Sequence, residues 1–350
     1  MSSTGRSSPK PVAPPPLQSS RTHQRLGHQN PFLARQDRLL QVPFLDECPM
    51  VGPPSCRLKD FKRPLLRKCV FDLNQVDWTK AEVLGSGVDG HVWLVQFGED
   101  ERKFALKAFW RANPDPDFYF AAMRESQNNA VLQMMETAVA EANAKSCPIL
   151  VKRHPVTARD ALGNMFAFCD EARQIQENRH NKRREKQLQQ QLQQQSGQDD
   201  SQLQPDPPST SDKDDTTASS GLVPIRRFPR MPKCYGWLKF NPPALIRRMP
   251  HQVRPQPIRI DKYKFYFPDD PDAEHFAIVY EYIEEGETDP AVVDEVAETL
   301  WLAGFCFVCT PLARNWRGNV LVDLSDIIYA GARGWSPAIY DKRTAESILI

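Results

Sequence analysis

The sequence predicts an α+β fold, in which a twisted antiparallel sheet and one long helix are followed by a smaller, helical part. Three observations support this prediction. Leu84–Val95 contains two apolar stretches separated by a glycine-rich turn, as two paired strands do. The next strand pattern carries a single lysine, Lys107, among apolar neighbours. A helical pattern rich in Ala, Met, Leu and Glu then runs from Asp117 to about Ala144.

The glycine turn has a spacing that is suited to phosphate groups. Gly85, Gly87 and Gly90 stand in the order G-x-G-x-x-G, and Val92 follows two residues later, where it would cover a base. A backbone without Cβ can fold over phosphates and direct its N–H groups at their oxygens. In a dinucleotide site the last glycine would open a helix, whereas His91–Phe97 alternates as a strand does. An ordinary hairpin turn is the remaining alternative.

The strand Phe104-Ala-Leu-Lys107 strengthens the case for a nucleotide site. Lys107 follows Gly85 by 22 residues, near the spacing at which protein kinases keep the lysine that holds the α- and β-phosphates. Ala105, on the same strand, is assigned to the site with it. Glu125 lies on the predicted helix, where the αC helix of kinases carries a glutamate that holds this lysine in one rotamer. A solvated helix charge is the alternative for Glu125.

Composition limits how much of the chain builds a core. Of its 350 residues 31 are proline, and the mean hydropathy is −0.55. The net charge of +1 excludes polyanion binding by overall charge alone. Among eight cysteines only Cys306 and Cys309 form a C-x-x-C pair, so a zinc site is not expected. Since no stretch of about 18 apolar residues occurs, we expect a soluble, intracellular, reduced protein.

The chain divides into four expected regions. The first, residues 1–60, is a disordered Pro/Ser/basic terminus, and residues 1–70 hold twelve Lys/Arg against four Asp/Glu. Residues 61–170 form the first part of the sheet-and-helix lobe. Residues 171–222 are a low-complexity Gln/Ser/Asp insertion, beginning with an exposed helix. Its basic run Lys182–Lys186 is a nuclear signal, a nucleic-acid contact or a solvated helix face. Residues 223–350 complete the lobe and add a hinge and a truncated C-terminal part.

Several elements are predicted after the insertion. The segments Lys233–Phe240 and Lys262–Phe267 read as strands. The apolar run His275–Ile283 reads as the last strand of the lobe continuing into a hinge, where backbone groups around Glu281 and Tyr282 would hydrogen-bond an adenine edge. An amphipathic helix is predicted next, from Pro290 to Ala303.

The residues that phosphoryl transfer requires are incomplete. A working kinase has an aspartate that accepts the substrate proton, five residues before a metal-binding asparagine, and a second aspartate that binds magnesium. If Asn319 is the asparagine, Arg314 stands in place of the first aspartate and Ala332 in place of the second.

A second register is favoured because it keeps a metal-binding carboxylate. If Asn315 is the asparagine, Thr310 stands in place of the proton acceptor and Asp323, at the end of a predicted strand, takes the magnesium position. Neither Thr310 nor Arg314 can act as a carboxylate base. The expected protein is therefore a pseudokinase rather than an enzyme.

The order of these motifs resembles the fungal kinetochore Sim-four complex subunit family called Fta-two. The resemblance is carried by Leu-Gly-Ser-Gly-Val-Asp-Gly-His-Val, Ala-Leu-Lys-Ala-Phe, Arg-Glu-Ser, Lys-Cys-Tyr-Gly-Trp-Leu, Ala-Ile-Val-Tyr-Glu-Tyr-Ile, Arg-Asn-Trp-Arg-Gly and Leu-Val-Asp-Leu-Ser. It covers about Val70 to Ile350, apart from the insertion. It implies a protein-kinase-like N-terminal lobe with a shrunken C-terminal part, in a centromere-associated nuclear protein.

We therefore expect a catalytically degenerate, kinase-like interaction module. Its nucleotide site would take ATP with Mg²⁺, and Asp323 would bind the metal. The disordered segments would recruit protein partners, and the basic N-terminus would contact nucleic acid. Two alternatives stay open. A nucleotide-free scaffold is favoured by Asp89 at the tip of the glycine turn, because a carboxylate there repels phosphates. An atypical phosphotransferase would keep Lys107 and Asp323 and use some other base.

Overall fold

The computed structural model describes residues 37–115, 119–196, 221–308 and 313–350. The strands in chain order are β1 Leu45–Pro49, β2 Leu66–Lys68, β3 Glu82–Ser86, β4 Gly90–Val95, β5 Phe104–Phe109, β6 Ile149–Lys152, β7 Leu222–Ile225, β8 Cys234–Phe240, β9 Ile258–Ile260, β10 Tyr263–Phe265, β11 His275–Glu281, β12 Phe305–Phe307, β13 Trp316–Arg317, β14 Val320–Leu321 and β15 Ile327–Tyr329. The helices are α1 Leu58–Lys62, α2 Ala121–Ala144, α3 Ala158–Phe166, α4 Asp170–Ser196, α5 Pro242–Arg247, α6 Pro290–Leu302 and α7 Ala345–Ile348. The α+β class predicted from sequence is confirmed.

Seven strands form the main sheet, in the order β1-β2-β8-β11-β5-β4-β3. The five strands from β8 to β3 are antiparallel neighbours. By contrast, β1 pairs with β2 and β2 pairs with β8 in parallel. The sheet is therefore mixed, and the expectation of a purely antiparallel sheet is wrong at this edge.

The N-terminal edge of the sheet comes from a segment that composition predicts to be disordered. That prediction is wrong for residues 45–60, which contain β1 and the start of α1. Tertiary contacts explain the difference, because Trp237 donates from Nε1 to the backbone oxygen of Asp46 at 2.9 Å. Cys56 is also buried against the core. Residues 1–36 lie outside the described residues.

Helix α2 is enclosed on most of its surface. It packs against β2 and β11 on one side and against residues 324–329 on the other. It begins at Ala121 with Phe120 as the N-cap, later than the predicted start at Asp117, which lies outside the described residues. Its buried face includes Glu125 and Asn128 besides apolar residues. A helix buried between two layers can hold such polar groups only where partners satisfy them.

The insertion begins as predicted with a helix, since α4 runs from Asp170 to Ser196 and its outer turns are exposed. The Ser/Asp/Thr/Pro-rich residues 197–220 lie outside the described residues. The chain returns in β7, which pairs antiparallel with β6.

The part that follows β11 is mixed rather than helical. Besides α6 and α7 it contains two small antiparallel pairs, β12 with β15 and β13 with β14. The expectation of a helical part is therefore wrong. The reason is that β12 and β15 are short apolar segments, buried at every position, that pair with each other. Cys306 is buried in β12, and Cys309 lies outside the described residues.

The main sheet has an apolar cluster on each face, which fixes the positions of the side chains that its strands carry. One apolar cluster lies between the sheet, α2 and the C-terminal part, and includes Met135 and Phe109. A second cluster lies on the opposite face and includes Trp93 and Phe104. In the described ranges, each helix is either too short or too polar to span a membrane.

Candidate functional site

A cleft of about 480 Å³ lies between the sheet and the C-terminal part. It is lined by ten of the residues that the sequence assigns to a site, namely Gly85, Gly87, Gly90, Val92, Ala105, Lys107, Glu281, Tyr282, Asn315 and Asp323. The eleventh, Glu125, contacts Lys107 from below the cleft surface. Residues that are more than 200 positions apart in the chain thus meet at one place.

Lys107 is the centre of the polar end of the cleft. It lies on β5, opposite Val92 of β4 and Ile278 of β11, and its side chain is 10% exposed. Its Nζ donates to Oε1 of Glu125 and, at 2.9 Å, to Oδ1 of Asp323. Burial alone would lower the pKa of Lys107, but the charges of Asp323 and Glu125 outweigh it and raise this pKa well above its usual value. The lysine is therefore held as an ammonium ion between two carboxylates.

Glu125 is fully buried on α2 and is held from two sides. Opposite Lys107, the hydroxyl of Tyr280 donates to Oε2 of Glu125 at 2.9 Å. Asn129, one turn along the helix, donates to the Tyr280 oxygen at 2.7 Å and to the Glu125 backbone oxygen at 2.8 Å. Burial raises the pKa of Glu125, and the Lys107 ammonium opposes that rise through the ion pair that the two groups form. The sequence pattern did not assign a role to Tyr280, although it stands directly before Glu281.

Asp323 follows β14 and caps a short 3₁₀ turn, Leu324–Asp326. Its Oδ1 accepts from the backbone N–H of Ser325 at 3.1 Å and from the Ser325 hydroxyl at 2.9 Å, besides Lys107. Burial raises the pKa of Asp323, but the Lys107 charge outweighs it, so that the pKa lies below its usual value. Within the described residues, these hydrogen bonds to Asp323 all go to Oδ1, so Oδ2 is available to another ligand.

Asp89, at the tip of the glycine turn, points into the cleft. The hydroxyl of Tyr119 donates to its Oδ1. One carboxylate oxygen from each of Asp89, Glu125 and Asp323 lies within 4.8 Å of the others. Such oxygens are the ligands that Mg²⁺ prefers, although Lys107 already neutralises part of this cluster. Sequence reasoning placed Asp89 at the loop tip but gave no signal for its contact with Tyr119.

The opposite end of the cleft is apolar. It is lined by Leu84, Val92, Ala105, Tyr282, Ile283 and Val322. The Glu281 carboxylate is already engaged, because it accepts from the backbone N–H of Lys233 at 2.7 Å and from Arg230 at 3.1 Å. A flat apolar ligand here would therefore meet backbone groups of the segment after β11, rather than the carboxylate of Glu281.

The two registers considered for the catalytic loop differ in where their residues lie. Asn315 lines the cleft together with Asp323 and Arg314, and Thr310 lies outside the described residues. Asn319 lies elsewhere, has a left-handed φ of 68°, and accepts from the backbone N–H of Asp289 at 2.6 Å.

Ala332, the other residue of the first register, is buried in the core. The cleft thus contains the asparagine and the aspartate of the second register.

Asp326 is a further acidic group near the cleft that the sequence pattern did not reveal. The Asn315 amide donates to its Oδ2. Burial, and next to it the charge of Asp323, raises the pKa of Asp326 to about 7. The position of Asp326 depends on how residues 313–326 fold back on themselves. No local sequence motif would therefore have identified Asp326.

A two-stranded hairpin, of which the sequence predicted only one strand, forms one wall of the cleft. Strands β9 and β10 pair antiparallel around Asp261, whose φ is 53°, and Ile260 lines the mouth of the cleft. The sequence predicted one strand over Lys262–Phe267, and the structure has a two-stranded hairpin there.

Comparisons with protein-family models, with curated proteins and with solved structures found no match to this chain. The site itself therefore defines the class: an α+β domain in which a glycine turn covers a buried lysine–carboxylate cluster, next to an apolar slot.

Proposed function

We propose that this chain is a catalytically degenerate, kinase-like interaction module that binds an adenine nucleotide or nucleoside in its cleft. One observation carries the proposal. Lys107 on a sheet strand is ion-paired with Glu125 on the packed helix and with Asp323 on the other side of the cleft. In protein kinases these three residue types hold the phosphates, orient the lysine and bind magnesium.

The order of elements supports the same proposal. The glycine turn between β3 and β4 comes first, the lysine strand β5 second and the glutamate helix α2 third. Strands β8 and β11 then lead to a connecting segment and to Asp323. The apolar slot next to that segment has the composition to hold a planar base.

Phosphoryl transfer is not part of the proposal. In the register whose asparagine and aspartate line the cleft, the sequence has Thr310 in place of the aspartate base, and a threonine has no carboxylate. Loss of a general base alone costs a factor of about 10² to 10⁴ in rate. We therefore propose that a bound ligand stabilises the module, and that the module acts by binding protein partners.

A ligand-dependent thermal shift on the full chain tests the binding proposal. Adenosine, ADP and ATP are each added at millimolar concentration, with and without Mg²⁺. A ligand at 100 times its Kd stabilises the folded state by about 2.7 kcal/mol, so at least one of them should raise the melting temperature by several degrees.

Three variants locate the effect. Ala105→Phe fills the apolar slot and should remove the shift, whereas Ala140→Phe, at an exposed position of α2, should keep it. Lys107→Met should weaken binding of the phosphorylated ligands more than that of adenosine. A shift that survives Ala105→Phe would place the ligand elsewhere and contradict the proposal.

A nucleotide-free scaffold is the second candidate, and the inward position of Asp89 favours it. A carboxylate beside Lys107 repels phosphates and satisfies the lysine without a ligand. We would conclude that the chain is a nucleotide-free scaffold if no adenine ligand shifts the melting temperature of either the natural protein or an Asp89→Asn variant.

The resemblance of the motifs to the Fta-two family supports one further part of the proposal, namely that the module works in a nuclear, centromere-associated assembly. Fluorescence microscopy of the tagged full chain in a fungal cell tests it directly. We expect foci that coincide with a centromere marker. A signal spread evenly through the cell would contradict this part alone.

A further inference from the structure

The Asp89 carboxylate occupies the region where a nucleotide's phosphates would meet Lys107. It lines the cleft, and one of its oxygens lies within 4.8 Å of oxygens of both Glu125 and Asp323, the two partners of the lysine. The charge of Asp89 therefore acts on the same ammonium group. Lys107 is thus surrounded by anions that belong to the protein itself.

Neighbouring groups hold both Asp89 and its turn in this position. The Tyr119 hydroxyl donates to its carboxylate, and the Trp110 backbone N–H donates to its backbone oxygen at 3.1 Å. The Trp110 indole donates to the backbone oxygen of Gly87 at 2.8 Å, which fixes the other side of the turn. Arg124 stacks on the Tyr119 ring at 4.2 Å. The inward position is therefore built by neighbours, and the turn is pinned down over Lys107.

A triphosphate could reach Lys107 only by displacing the Asp89 carboxylate or by lying close to it. Its oxygens need the donors of Lys107, which already bind Glu125 and Asp323 and lie beside Asp89. Like charges that are only a few ångströms apart in a partly buried site repel strongly. The apolar slot, by contrast, is lined mainly by apolar side chains, and the Glu281 carboxylate beside it is already bonded to Arg230 and to the Lys233 backbone.

We propose that Asp89 acts as a tethered substitute for a phosphate, so that the cleft selects an uncharged nucleoside over a nucleoside triphosphate. This inference rests on the proposed function, because it needs the apolar slot to bind a base. It assigns Asp89 as the residue that determines ligand class and Tyr119 as the residue that positions it. The slot then recognises the base, while the protein supplies its own anion to Lys107.

The test compares affinities of the full chain for adenosine and for ATP by isothermal titration calorimetry, in buffer with EDTA. The natural protein should bind adenosine at least as tightly as ATP. Asp89→Asn removes the charge but keeps an acceptor for the Tyr119 hydroxyl. This variant should bind ATP on the order of tenfold more tightly or better, and each factor of ten corresponds to about 1.4 kcal/mol of binding free energy. Its affinity for adenosine should change by less than about twofold.

Two further variants make the result specific. Tyr119→Phe keeps the Asp89 charge but frees the carboxylate to leave, so ATP binding should tighten by a smaller factor. Glu136→Gln, at an exposed position of α2, removes one negative charge far from the cleft and should leave both affinities unchanged.

The outcomes separate this inference from the function on which it rests. If the natural protein binds ATP about tenfold more tightly than adenosine, or if Asp89→Asn changes both ligands alike, Asp89 does not select the ligand class. If neither ligand binds the natural protein or any variant, the proposed binding function itself fails.

Discussion

Tyr280 donates its hydroxyl hydrogen to Oε2 of Glu125 at 2.9 Å, on the side of the carboxylate that faces away from Lys107. Both residues are buried, and Asn129 donates to the same tyrosine oxygen. One of the two carboxylates that hold Lys107 is therefore itself held by Tyr280, near the end of β11. This joins the polar end of the cleft to the strand that leads into its apolar end.

Tyr280→Phe tests the importance of this support. The change removes one hydrogen bond to a buried carboxylate and one of the two acceptors of the Asn129 amide, which keeps its bond to the Glu125 backbone oxygen. We therefore expect a loss of about 1–3 kcal/mol in the free energy of unfolding. Urea denaturation measures it. Tyr266→Phe, at a half-exposed ring, should change the unfolding free energy by less than about 0.5 kcal/mol. Equal effects of the two changes would mean that the Tyr280 hydroxyl is not needed.

Asp326 predicts a pH dependence of stability. Burial, and then the Asp323 charge, raises the pKa of Asp326 from 3.8 to about 7. Because the folded chain holds the carboxyl proton of Asp326 more firmly than the unfolded chain does, the contribution of Asp326 to the free energy of unfolding is fully present below about pH 4. It is lost as pH rises through 7.

Asp326→Asn should abolish that loss, since the amide oxygen can still accept from Asn315. The variant's stability relative to the natural protein should rise by on the order of 2 kcal/mol between pH 5 and pH 8, measured by urea unfolding at both values. A difference that is the same at the two pH values would show that Asp326 is ionised throughout.

Gly90→Ala tests how tightly the glycine turn lies on the sheet. A Cβ at Gly90 would come within 2.1 Å of the Ala108 backbone oxygen, so the turn or β5 would have to move. We expect a loss of about 3 kcal/mol in the free energy of unfolding. At Gly87 a Cβ meets nothing within 4 Å, and Gly87→Ala should be neutral or stabilising by about 0.5 kcal/mol. Similar melting temperatures for both variants would contradict the observed packing.

Two adjacent leucines test the parallel edge of the sheet. Leu66 in β2 is fully buried, whereas Leu65 is 38% exposed. Leu66→Ala should cost about 2–5 kcal/mol of unfolding free energy, and Leu65→Ala less than about 1 kcal/mol. Chemical denaturation of both variants makes the comparison. A small effect of Leu66→Ala would mean that β2 is not part of the core.

Patterns that lie close together in the chain were predicted well. The glycine turn, the strand of Lys107 and the helix of Glu125 are each local, and the spacing between lysine and glutamate predicted the ion pair that the structure contains. Strand alternation and helix propensity act within ten to twenty residues, so one sequence is enough to read them.

Features that depend on distant partners were missed. Strand β1 contains few strand-forming residues and becomes ordered through neighbours such as Trp237, which is 191 positions from Asp46. Tyr119 and Tyr280 read as ordinary aromatic residues until the fold brings a carboxylate to each. The raised pKa of Asp326 likewise arises from burial and from Asp323, which no local motif reveals.

The contact between Lys107 and Asp323 joins residues that are 216 positions apart. During synthesis, at about 5–20 residues per second, the ribosome needs about 10–40 seconds to travel from one to the other. In that interval the nascent chain can pair Lys107 with Glu125, but the opposite wall of the cleft does not yet exist. Closure of the cleft is therefore a late event in biogenesis. Until it occurs, β5 and α2 are the elements that a chaperone would need to shield.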